Sequence, residues 1–307
     1  MTRAVDKPIA ALGLAISLKM VPRMLKSQLL GPVLYRYEPN TFRALTRRLR
    51  LLPDFVIIGA QKAGTTSLYN YLIQHPCVAR ARRKEVNFFD VHFSKGVSWY
   101  RGFFPLAPKR YFERYIRGRE ILTGEASTDY LFHPLAPRRM FEVIPKARLI
   151  VLLRNPVDRA YSHYFHEVAK GRENLPFDAA IDQEAERLRG EEQKIRTNPL
   201  YEGFRYRHYS YLARGIYIDQ IKAVMDVFPA EQLLILKSED FYAEPRQTFK
   251  QVLSFLRLPV FELQEYRAHN ARKYPEMPHE TRKRLIDYFR PHNERLYAYL
   301  GVDFGWD

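Results

Sequence analysis

Between Asp54 and Gly59 the chain reads Asp-Phe-Val-Ile-Ile-Gly, a short apolar run of β-branched character that stops on glycine. Such a run suits a strand buried on both faces in a parallel sheet. The loop Ala60-Gln-Lys-Ala-Gly64 follows, and from Thr66 to Gln74 the apolar residues Leu68, Tyr71 and Leu72 fall at helical spacing. A strand, a glycine-bearing loop and a helix, in that order, turn backbone N–H groups and the positive end of a helix dipole toward an anion. Gly64 permits close backbone approach, while Thr65, Thr66 and Ser67 place hydroxyl donors on the first turn and Lys62 adds a mobile charge. The competing reading of this segment is a glycine turn with surface hydroxyls.

Gly59 and Gly64 have the spacing of the triphosphate-binding loop GxxxxGK[ST], but Thr65 stands where its lysine belongs and the lysine lies earlier, at Lys62. That displacement argues against triphosphate chemistry, and so against a small-molecule kinase.

Further along, Ala147-Arg-Leu-Ile-Val-Leu-Leu153 reads as another buried strand, ending in Arg154-Asn155-Pro156, where proline signals a helix start. Gln232-Leu-Leu-Ile-Leu236 reads as a third, between amphipathic helices at about 217–228 and 245–256. Alternation of strands and helices predicts an α/β fold, a three-layer sandwich with a central parallel sheet covered on both faces. The stretch from Glu184 to Arg207 is polar and aperiodic, and is expected to be an exposed helix plus a loop, either a substrate-contacting insertion or plain solvated surface. Residues 1–50 are basic and form an N-terminal extension to a single domain over 51–307.

The 50 Lys+Arg residues against 34 Asp+Glu give a formal +16, an excess that favours anionic partners without choosing among them. The single cysteine, Cys77, excludes an intramolecular disulfide framework and a multi-cysteine metal site, and fits a half-buried, inert thiol in a reducing compartment. The apolar run Pro8–Leu18 is too short to span a bilayer and lacks a clear cleavage site. It reads as a docking or membrane-surface helix, so the expectation is a cytoplasmic protein with peripheral membrane contact through its N-terminal segment. His163, His166 and Glu167 have weak metal-site spacing with no third placed ligand, and no metal is expected.

Phe55-Val-Ile-Ile-Gly-Ala-Gln-Lys-Ala-Gly-Thr-Thr-Ser-Leu68 resembles the 5′-phosphosulfate loop of the sulfotransferases that use 3′-phosphoadenosine 5′-phosphosulfate (PAPS), in the branch of the heparan sulfate N- and 3-O-sulfotransferases and their bacterial relatives. The resemblance implies a P-loop-like nucleotide-binding sulfotransferase fold and donor contacts from Lys62, Ala63, Gly64, Thr65, Thr66 and Ser67. Leu149 to Tyr164 resembles the family's 3′-phosphate motif, which gives Arg154 and Ser162 that role. Lys84-Glu85-Val-Asn-Phe-Phe-Asp90 is similar to the family's KE-x-x-FF segment, implying Glu85 as catalytic base, with Lys84 at donor or acceptor and Lys62 at the leaving-group charge. Gly124 to Tyr130 resembles the segment entering the acceptor cleft, which puts Asp129 near substrate. Ala126 stands where heparan-acting members usually carry lysine, a departure that weakens the case for a heparin-like acceptor. Ala268 to Pro275 resembles the loop that closes over the donor, implying contacts from Arg272 and Lys273. Tyr217 matches an RG-x-Y element near the nucleotide, where stacking and core packing are equal readings.

The activity implied is sulfuryl transfer to a hydroxyl or amine, the acceptor being a saccharide or a lipid-linked glycan, with no nucleic acid as partner. The alternative from another class is a non-catalytic nucleotide- or polyanion-binding module. Sulfuryl transfer asks for in-line positioning, charge neutralisation at the leaving phosphate and a base for the acceptor proton.

Overall fold

The computed structural model describes residues 41–269 and 274–306. The chain divides into two units, Met1–Leu45 and Thr46–Asp307. In the first, Thr41–Leu45 forms a helix, α1; the run Pro8–Leu18 lies outside the described residues. Everything below belongs to the second unit.

Its centre is a five-stranded, all-parallel sheet of β1 (Phe55–Gly59), β2 (Val78–Arg80), β3 (Leu122–Ala126), β4 (Arg148–Leu153) and β5 (Leu233–Lys237), in the order β2-β3-β1-β4-β5. β1 is buried throughout and β4 from Leu149 on, as their unbroken apolar runs require of inner strands. β2 and β3 were not legible as strands. β2 is only three residues long, and β3 reads Leu-Thr-Gly-Glu-Ala, with a buried glutamate where an apolar residue would be expected.

Between β1 and β2 runs α2 (Thr65–Leu72), and between β2 and β3 run α3 (Gly96–Arg101) and α4 (Ala107–Arg117). α5 (Ala136–Val143) leads into β4, and α6 (Pro156–Val168) leaves it. The short helices α7 (Phe177–Asp182), α8 (Glu184–Leu188), α9 (Glu191–Thr197) and α10 (Phe204–His208) come next, then α11 (Tyr217–Met225) before β5. α12 (Ser238–Ala243), α13 (Pro245–Leu256) and α14 (His279–Leu300) follow the last strand. Right-handed crossovers in this strand order put α2 on one face of the sheet and α5 and α11 on the other. The packing agrees. Tyr71 of α2 meets Phe241 of α12 and Phe249 of α13, whereas Phe141 of α5 meets Phe228 just after α11. The sandwich therefore has three layers.

The stretch 184–207 differs from the exposed helix plus loop expected of it. Its three helices bury Glu184, Glu191, Ile195 and Tyr206. The polarity that hid this is internally satisfied: Glu184 accepts from the N–H groups of Leu212 (2.6 Å) and Ala213 (2.8 Å), and Glu191 from Lys194 and the Tyr201 hydroxyl. Cys77 is buried rather than half-buried. Among the described residues no helix is long and apolar enough to cross a membrane.

Candidate active site

All five strands point the same way, so the loops after their carboxyl ends gather along one edge, the edge at which open α/β sheets bind ligands. At the end of β1 the chain turns through Ala60–Gly64 into α2. Lys62 and Gly64 both take left-handed backbone angles, at φ 71 and φ 97. Alternating handedness of this kind folds backbone N–H groups into an anion-binding concavity. Gly64 is required: an added Cβ would sit 3.0 Å from the Tyr242 hydroxyl and 3.2 Å from the Phe241 ring, on backbone that L side chains rarely adopt. The floor of the loop is fixed by Ala60 N–H to the Leu152 carbonyl (2.7 Å) and by the Ser238 hydroxyl to the Ala63 carbonyl (2.9 Å). Thr65 and Ser67 are buried, and Lys62, Gly64 and Thr66 are half-buried. Ser67 is occupied from the other side, its Oγ accepting from the His269 N–H at 2.9 Å.

Arg154 stands on the neighbouring strand end. Its guanidinium donates to the Lys62 carbonyl at 3.1 Å, which joins the two segments assigned to the two ends of the donor. Asn155 caps α6 by accepting from the Val157 N–H, with Pro156 at the first helical position. Ser162 lies buried two turns along that helix. The buried Tyr217 donates its hydroxyl to the Arg154 carbonyl at 2.8 Å and packs its ring near Trp306, so it braces the arginine from within the core. Glu239 adds a second brace, accepting from the Asn155 N–H and from the Trp306 indole.

The base candidate comes from the other side of β1. Glu85 has left-handed backbone at φ 57 and donates its N–H to the Ala126 carbonyl at the end of β3. One carboxylate oxygen accepts from the Thr128 N–H at 3.1 Å, and the other is ion-paired with Lys84. The side chain keeps 35% of its surface open to solvent. A non-glycine residue held at positive φ costs about 1 kcal/mol or more and persists only where its surroundings impose it. Here they do, since the Asn87 N–H donates to the Ser127 hydroxyl and the Phe88 N–H to the Tyr130 hydroxyl at 2.7 Å. Both hydroxyls in turn donate to a second carboxylate, the fully buried Glu125, which also takes the Tyr100 hydroxyl at 2.7 Å. Burial pushes the Glu125 pKa up, and its three hydroxyl donors pull it back. Glu125 escaped sequence reasoning because a glutamate inside a short strand carries no signal until its hydroxyl partners are seen.

Asp129, read from the sequence as near substrate, is held by two arginines. Arg214 donates to one of its oxygens at 2.6 Å and Arg207 to the other at 3.1 and 3.2 Å. Burial works to raise its pKa, but the two arginines outweigh this and hold it well below the usual carboxylate range. Beside it, burial pushes Asp90 up to about 7, with Arg207 only partly opposing. His163 is fully buried against Tyr211, and burial lowers its pKa well below the ordinary value. Arg272 and Lys273 lie outside the described residues. The described chain on either side is anchored, with the Arg267 carbonyl on the Tyr71 hydroxyl and the Tyr274 ring stacked on Phe165 at 5.0 Å. Tyr242 is a further site residue that sequence reasoning missed. Its hydroxyl borders Gly64, and its pKa is raised by burial and lowered by the Arg154 charge.

This edge thus carries an anion-binding loop, a second cation tied to it, and a carboxylate across the adjoining strand end. Residues 52–290 match the family described as the sulfotransferase domain. The chain belongs to the sulfotransferase family. Its α/β architecture, with the central parallel sheet, is the P-loop-like fold of that family, and the enzyme is a sulfotransferase. A solved sulfotransferase from Alicyclobacillus acidocaldarius is 33% identical to it, covering 83% of this chain and 99% of that one with a TM-score of 0.61. The human heparan sulfate glucosamine 3-O-sulfotransferase 3B1 is 30% identical over 83% of this chain and 65% of its own length. The membrane-associated sulfotransferase kil1 of Dictyostelium discoideum is 27% identical over 88% of this chain and 69% of its own.

Proposed function

We propose that this sulfotransferase transfers the sulfuryl group of PAPS to a hydroxyl or amine of a saccharide or lipid-linked glycan. One observation carries the reading of the donor: the hydrogen bond from Arg154 to the Lys62 carbonyl. It couples a loop suited to one phosphate to a cation suited to another, which a donor phosphorylated at both the 3′ and 5′ positions demands. In this reading Lys62 and the N–H groups of the loop through Thr66 take the 5′-phosphosulfate, and Arg154 with Ser162 takes the 3′-phosphate. Ser67 and Tyr217 act by holding the loop and Arg154 in place, and Arg272 and Lys273 close over the donor.

Glu85 removes the acceptor's proton as the acceptor oxygen or nitrogen forms its bond to sulfur. The bond from sulfur to the bridging oxygen of the 5′-phosphate breaks, and adenosine 3′,5′-bisphosphate leaves with the electron pair beside Lys62. Lys84 pairs with Glu85 and faces the acceptor, while Asp129 shapes the cleft through Arg207 and Arg214. Similarity to a heparan sulfate sulfotransferase and the formal charge of +16 support an acidic saccharide. Ala126 is where that support is weakest.

The test is incubation with radiolabelled PAPS and a panel of glycans, glycolipids and phenols, alongside calorimetry with adenosine 3′,5′-bisphosphate. Label transfer to a saccharide is expected. Absence of both transfer and nucleotide binding would overturn the donor. Nucleotide binding with no transfer to any acceptor would favour the non-catalytic reading instead.

A further inference from the structure

Helix α4 (Ala107–Arg117) is built in reverse for a helix lying on a protein surface. Such helices turn apolar residues inward and charges outward. In α4 the buried residue is Glu113, while Tyr111, Phe112, Tyr115 and Ile116 are exposed by 64%, 49%, 71% and 70%. At helical periodicity these four share an arc of about 140°, opposite Arg110, Glu113, Arg114 and Arg117. The charged side is fastened down: Arg110 is ion-paired with Asp54, and Glu113 takes Arg117 at 3.2 Å and Arg119 at 3.6 Å. Cations edge the apolar strip, with Arg114 5.7 Å from the Tyr115 ring and Arg117 5.4 Å from that of Phe112. Tyr111 and Tyr115 lie nearly parallel, their centroids 6.3 Å apart.

Beside the helix a groove of about 810 Å³ runs along the beginnings of β1, β3 and β4. Arg48, Arg110, Lys146 and Arg148 line it, and Asp54, already paired, is the one acidic residue among the described lining residues. Leu49 and Tyr111, also in the lining, are largely exposed and carry the apolar strip up to the groove.

We propose that this face docks on an anionic phospholipid surface. Aromatic rings and an isoleucine bordered by arginines match the acyl boundary and the phosphate layer of a leaflet together. A second copy of the chain would bring the same cations face to face, because a two-fold interface pairs a patch with itself. An anionic polymer would use the arginines and leave Phe112 and Ile116 in water. The groove lies where the strands begin and the donor loop where they end, so docking leaves the catalytic edge about 16 Å away along the strands.

The experiment is co-sedimentation of the full chain with vesicles of phosphatidylcholine alone and of phosphatidylcholine with phosphatidylserine. The mixed vesicles are expected to bind it and the neutral ones to bind far less, with binding falling as salt rises. Tyr115→Ser with Ile116→Ser is expected to lower affinity for the mixed vesicles at least tenfold, while adenosine 3′,5′-bisphosphate binding, as a check on folding, stays unchanged. Vesicle binding that the double variant leaves intact, or no binding by the unaltered chain, overturns the proposal. So does a dimer in analytical ultracentrifugation that the double variant splits, since the face then belongs to a second copy.

Discussion

Glu85 is held in place by its neighbours more than by its own sequence. Its two oxygens are taken up by Lys84 and the Thr128 N–H, and its backbone is bent to φ 57 by contacts that run through Ala126, Ser127 and Tyr130. Glu85→Gln keeps the shape and removes the carboxylate proposed as proton acceptor. Turnover is expected to fall about 10²- to 10³-fold, with adenosine 3′,5′-bisphosphate affinity unchanged in calorimetry. Normal turnover would dismiss Glu85 as the base. Arg154→Ala removes the tie to the Lys62 carbonyl together with the cation proposed for the 3′-phosphate, and should weaken nucleotide binding by about 1.5–3 kcal/mol. Gly64→Ala meets the Tyr242 hydroxyl at 3.0 Å with φ at 97, so its expected result is lost nucleotide binding together with a lowered melting temperature. Lys62, Gly64 and Arg154 stand out in the sequence because each lies beside a strand end that an apolar run announces, whereas Glu85 follows β2, which no such run announces, and stands out only through the likeness of Lys84–Asp90 to the family's segment. Tyr242 and Glu239 do not, because each acts on residues far along the chain, and Glu125 does not, because a strand glutamate gives no signal until the Tyr100, Ser127 and Tyr130 hydroxyls fold around it.

Elements followed the same division. β1, β4 and β5 could be read as runs of apolar residues, and α2, α11 and α13 from their periodicity, to within a few residues of their ends. β3 could not, since its polar members are answered from elsewhere: Thr123 by the Ala79 carbonyl, Glu125 by three hydroxyls. Gly124 is equally uninformative alone, yet a Cβ there would lie 2.5 Å from Phe55 in the adjoining strand. The helices of 184–207 hid their buried face behind carboxylates for a similar reason. Glu125→Ala should therefore destabilise by about 2–4 kcal/mol in urea unfolding, because it leaves the Tyr100, Ser127 and Tyr130 hydroxyls without their acceptor. Glu85 is expected to lose its position too, so activity should fall further than stability alone accounts for.

At the scale of the molecule, the buried carboxylates set the response to pH. Burial raises Asp90 from 3.8 to about 7, so the folded protein holds that proton more tightly than the unfolded chain does. Stability from this group is complete below about pH 4 and is lost as pH rises through about 7. Asp90→Asn cannot lose it, so the melting temperature of the variant minus that of the unaltered enzyme should climb by a few degrees between those limits. A difference that stays flat, or shrinks as pH rises, would show that Asp90 is ionised throughout. Glu184, raised by burial to about 7, should behave alike in Glu184→Gln.

Glu239 receives the Asn155 N–H with one oxygen and the Trp306 indole with the other. A growing polypeptide therefore cannot complete the brace behind Arg154 until residue 306 has left the ribosome. Nascent chains and proteolytic fragments that stop short of that tryptophan would carry every motif of the donor site and still hold the nucleotide poorly.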